Sequence, residues 1–89
     1  MPEESDAKRA LDLIEASGFR WNATAEAAHE IAQAHEGVAI FDAIHAMLHR
    51  IEGDTGNAAY WDRRAGTDFG GDSFAAELAS LRAMAETRS

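Results

Sequence analysis

A chain of 89 residues has room for one domain with a thin core. Leu, Ile, Val and Phe together number 15 against a formal net charge of −8, a balance that taken alone leans towards disorder. Twenty alanines reverse that lean, because alanine favours helix and lets helices approach closely, and the single proline, at position 2, leaves no later helix with a breaker.

The same composition excludes several functions. Lys8 is the only lysine, so neither nucleic acid nor an anionic membrane surface is an expected partner. No apolar run approaches the roughly 18 residues of a membrane-spanning helix. The stretch PEESDAKR has acids where a secretory signal has a basic and then an apolar region, so a cytoplasmic protein is expected. Without cysteine there is no disulfide or thiolate ligand, and any metal has to be held by His and carboxylate. A domain this small gains from association, which makes a homodimer the expected assembly.

Five helices and no strand are predicted in chain order. The first, Ser5 to Ser17, carries Ala7, Ala10, Leu11 and Ile14 on one stripe and stops at Gly18. Phe19, Arg20 and Trp21 lead to a second that Asn22 caps and that runs to Glu36 before Gly37. The third, Val38 to Glu52, has the strongest apolar stripe, in Ile40, Phe41, Ile44, Met47, Leu48 and Ile51. Gly53 ends it, and Asp54 or Thr55 caps a fourth helix reaching Ala65. A glycine-rich loop, 66–71, then delivers the chain to a fifth helix capped by Asp72 or Ser73, with Phe74, Leu78, Leu81 and Met84 on its core side. Short connections turn successive helices back on one another, so the expected fold is all-α, one compact antiparallel bundle of about five helices spanning 1–89.

Polar residues fall into facing stripes. On the second helix Asn22, Glu26, His29 and Gln33 share a narrow arc, and on the third His45, His49 and Glu52 do the same with Asp42 alongside. On the fourth, Trp61 shares its arc with Asn57 and Arg64, so burying the ring is expected to draw an amide and a guanidinium inward. Arg64 to Glu52 is then the expected charge-assisted pair. Helical bundles build internal sites from such stripes.

The runs Trp21-Asn22, His29-x-Ile31-Ala32-Gln33 and His49-Arg50-x-Glu52-x-Asp54-x2-Asn57-Ala58-x-Tyr60-Trp61-x-Arg63-Arg64 resemble a group of small uncharacterised proteins of bacteria and fungi. The resemblance covers about half the chain and implies Asn22, Glu26, His29, Gln33, His45, His49, Glu52, Asp54, Asn57, Trp61 and Arg64 as a shared polar set. Asp62 departs from it, standing where an aromatic follows the Tyr-Trp pair.

Three chemistries suit these residues. His29, His45, His49 and Glu52 are of the type and spacing that hold zinc or another divalent metal. Without metal, His45 or His49 is a candidate catalytic base oriented by Glu52, with Asn22, Glu26, Gln33, Asp54, Asn57, Trp61 and Arg64 holding a small polar or anionic ligand. Alternatively, the polar set locks the helical hairpin of a structural or protein-interaction module. The last two differ visibly, because a site opens to solvent whereas a structural network is packed shut with every donor paired.

Overall fold

A computed structural model describes residues 2–87; the domain expected over 1–89 therefore includes Met1, Arg88 and Ser89, which lie outside the described residues. Among the described residues five helices form, α1 (Pro2–Ala16), α2 (Ala23–Ala34), α3 (Ala39–Glu52), α4 (Thr55–Ala65) and α5 (Phe74–Thr87). The expected fold class is the observed one, an all-α bundle.

Local signals set the boundaries. Asn22 accepts from the Ala25 N–H at the start of α2, Asp54 from the Asn57 N–H at the start of α4 and Ser73 from the Ala76 N–H at the start of α5, each satisfying a donor that the first turn leaves free. Gly53 and Gly66 close α3 and α4 in the left-handed region, at φ 92° and 75°, where a side chain is strained. Four ends differ from expectation. Helix α1 runs from Pro2 to Ala16 rather than from Ser5 to Ser17, and α3 starts at Ala39, with Val38 as its cap residue rather than its first member. Helix α2 stops at Ala34 rather than Glu36, because His35 leaves the helix to stack on Phe41 and to meet Asp6 at 2.9 Å.

Helix α3 is the axis of the bundle, packed against each of the other four. Ile40, Phe41, Ile44, Met47 and Leu48 are fully enclosed, and burying such side chains stabilises by about 1.5–3 kcal/mol each. Helix α2 meets the core with Ala25, Ala28 and Ala32, all fully buried, so its backbone comes close to its neighbours and the side chains flanking this alanine stripe come close too. Helix α5 contributes Leu78 and Leu81 to the core while Phe74 and Met84 stay half-buried at its edge. Phe19, at φ 59°, packs its ring 5.9 Å from that of Phe74 and ties the α1–α2 connection to α5.

A charged cluster holds α4 and α5 to α3. Arg50 Nη1 donates to Asp62 Oδ2 at 2.8 Å, its Nε donates to Glu77 Oε1 at 3.1 Å, and its Nη2 donates to Glu77 Oε2. Thr67 Oγ1 donates to the other Asp62 oxygen at 2.8 Å. Glu77 is fully buried and Asp62 nearly so. Burial raises the Glu77 pKa and Arg50 offsets part of that rise; burial would lower the Arg50 pKa, but the hydrogen bonds to Glu77 and Asp62 outweigh it and leave it raised. Each carboxylate oxygen and each guanidinium nitrogen of the three has a partner, the pattern of a network that serves the fold.

Candidate metal centre

Three histidines from two helices converge on one point. On α2, Ala25, Ala28, His29 and Ala32 stand at i, i+3, i+4 and i+7, so His29 is carried on the edge of the alanine stripe that packs inward. On α3, His45 and His49 are one turn apart on the side facing it. Ring centres are separated by 4.5 Å for His29–His45, 4.9 Å for His45–His49 and 5.2 Å for His29–His49. An ion bound by imidazole nitrogens lies about 3.2 Å from each ring centre, so rings at mutual angles between about 90° and the tetrahedral value have centres about 4.5–5.2 Å apart. The cluster has that spacing, and each ring offers a nitrogen such that the three lie within 4.8 Å of one another.

Protonation and hydrogen bonding agree with the spacing. His45 is 3% exposed, and burial, followed by the neighbouring His29 and His49, lowers its pKa to about 4. Burial and then His49 lower that of His29, with Glu52, Glu30 and Glu26 opposing. At neutral pH both rings are therefore uncharged, the form that ligates a metal. His49 donates from Nδ1 to Glu52 Oε1 at 3.1 Å, the carboxylate–histidine pairing found behind metal ligands. Two buried nitrogens, His29 Nε2 and His45 Nδ1, have no hydrogen-bond partner. Burying such an atom unpaired is costly, and both belong to this cluster.

Aromatic rings frame the histidines. Trp61 stacks on His45 with centres 4.0 Å apart and planes inclined by 14°. Trp21 sets an edge against His29 at 5.9 Å, and together with Ala23, Glu26, Ala27 and Glu30 it lines an open groove that reaches His29.

The other expected site residues are distributed around this centre. Trp61 touches it directly, and Glu52 reaches it through His49. Glu26 is exposed on the wall of the groove. Asn22 spends its amide on the backbone, accepting from Ala25 and donating to Ser17 O at 3.1 Å. Asp54 and Asn57 hydrogen-bond to each other at the exposed start of α4. Gln33 is exposed near the end of α2.

The expected Glu52–Arg64 pair does not form. Glu52 faces His49, whereas Arg64 lies over the Trp61 ring at 5.2 Å, near the Tyr60 hydroxyl at 3.3 Å and Asp42 at 3.8 Å. Nor does Trp61 carry Asn57 and Arg64 inward: it is half-buried and they are exposed. The physical reason is that His45 already supplies a flat partner for the indole, so the ring lies along the surface of α3 instead of plunging between helices.

The charged cluster that does form, half-buried Arg50 with buried Asp62 and Glu77, escaped the sequence reading, though a signal was present. Glu77 stands three residues after Phe74 and four before Leu81, an acid inside an apolar stripe, and such a position demands a cation. Comparison with protein-family models, curated proteins and solved structures found no match, so the functional reading rests on the geometry of the chain itself.

Proposed function

We propose that this helical domain binds a divalent transition-metal ion through His29, His45 and His49 and presents it to a small polar ligand. The observation that carries the reading is the pair of buried, unpartnered ring nitrogens, His29 Nε2 and His45 Nδ1, in a cluster whose ring spacing suits one ion. A network that merely locks the fold pairs all its donors, as Arg50 with Asp62 and Glu77 does; the histidine cluster leaves nitrogens unpaired and borders an open groove. Imidazole ligands without thiolate suit zinc, copper, nickel and cobalt, whereas calcium and magnesium prefer oxygen.

The test is thermal melting of untagged, chelator-stripped protein with and without zinc. An ion bound only by the folded state raises the melting temperature, by an amount set by RT ln(1 + [L]/Kd). His49→Ala should melt as a folded protein and show no zinc-dependent rise. Equal melting of the wild type with and without zinc would contradict the reading. A homodimer belongs to the same proposal, with the exposed ring of Tyr60, away from the Trp21 groove, as the surface a second copy would cover.

A further inference from the structure

We propose that the metal centre is open, with one coordination position facing the Trp21 groove, and that this position takes a small uncharged nitrogen or oxygen donor whose binding the groove favours over that of an anion. The inference deepens the three-histidine reading and rests on it.

Ligand count is the first argument. Structural zinc sites are closed by four side chains, whereas sites that bind exogenous molecules use three and keep an exchangeable position. Among the described residues no fourth His or acid joins the set formed by His29, His45 and His49. Glu52, the nearest acid in sequence, is engaged with His49 Nδ1 and falls instead in an exposed group with His49 and Asp54.

Access is the second. Trp61 covers His45, the most deeply buried ligand, while His29 itself lines the groove. An incoming molecule therefore approaches past Trp21, Glu26 and Glu30, and the indole of Trp21 offers an apolar face to a planar guest.

Charge is the third. The groove is lined by two acids, Glu26 and Glu30, and among the described residues by no Lys or Arg. Such surroundings attract the metal ion and oppose an anionic guest, while an uncharged donor such as imidazole meets no repulsion.

The experiment loads chelator-stripped protein with cobalt(II), establishes one ion per chain by equilibrium dialysis, and follows the visible cobalt bands during titration with imidazole or azide. Imidazole should give a saturable one-to-one change. The Glu26→Gln/Glu30→Gln variant should bind azide severalfold more tightly than wild type, because two carboxylates that repel an anion in the groove are removed, with imidazole affinity little altered. One cobalt per chain but no spectral response to imidazole or azide would show a closed site and overturn this inference alone. Azide affinity unchanged in the variant would overturn the selectivity. No bound cobalt would overturn this inference together with the three-histidine reading.

Discussion

Truncating Arg50 is the sharpest stability test of the fold. In Arg50→Ala the fully buried Glu77 loses its cation and Asp62 loses one of two partners. Breaking a buried charge pair by deleting one side costs about 3–5 kcal/mol, because the survivor stays buried and unpaired. At about 0.05–0.15 kcal/mol per residue a chain of this length has a total stability of roughly 4–13 kcal/mol, so the variant should lose at least about a quarter of it. With about 4–8 °C lost per kcal/mol in a domain of this size, the melting temperature should fall by at least about 12 °C. The triple variant Arg50→Met, Asp62→Asn, Glu77→Leu removes all three charges at once and should recover most of the loss. Urea titration followed by far-ultraviolet circular dichroism measures both. A loss below about 1 kcal/mol for Arg50→Ala, or a triple variant no more stable than the single one, would refute the claim that this cluster clamps α4 and α5 to α3.

Further outcomes follow from the same contacts. A double-mutant cycle on Glu52 and Arg64 should be additive, since the two do not meet. Leu48→Ala and Phe41→Ala, both in the enclosed core of α3, should each cost about 2–5 kcal/mol by urea titration. The metal-free protein should lose stability on acidification: the folded state holds His45 at a pKa of about 4 against 6.5 for the free group, so the unfolded chain takes up the proton first. The contribution is complete above pH 6.5, declines as the pH falls towards 4 and is then level, with a total of about 3 kcal/mol. A flat stability profile over that range would show that the ring is not held neutral. Glu52→Ala should weaken zinc binding about 10–100-fold in competition with a chromophoric chelator, while leaving the melting temperature of the metal-free protein nearly unchanged.

Much of the fold was legible because each helix end is marked by a residue with a local physical reason. Asn22 and Asp54 cap, Gly53 and Gly66 turn the backbone left-handed, and the stripe of Ile40, Phe41, Ile44, Met47 and Leu48 identifies the central helix. The histidine face was legible from spacing alone: His45 and His49 are one helical turn apart, and His29 shares a polar arc on the neighbouring helix, whereas the alanine stripe beside His29 that packs inward was not singled out. Partner choice across helices was not legible. Whether Arg64 or Arg50 is buried depends on which guanidinium lies opposite an enclosed acid, and the positions of α4 and α5 on α3 decide that in favour of Arg50 through Asp62 and Glu77. Periodicity places a residue on a face but does not say what stands across from it.

The central claim, that His29, His45 and His49 form one metal centre, is tested most directly by native mass spectrometry of untagged protein after incubation with zinc. The wild type should carry one ion per chain, and His45→Ala, with its ring and one of the two unpartnered nitrogens removed, should carry none while retaining its helical circular dichroism. Wild-type protein without a bound ion, or His45→Ala binding zinc as the wild type does, would contradict the account.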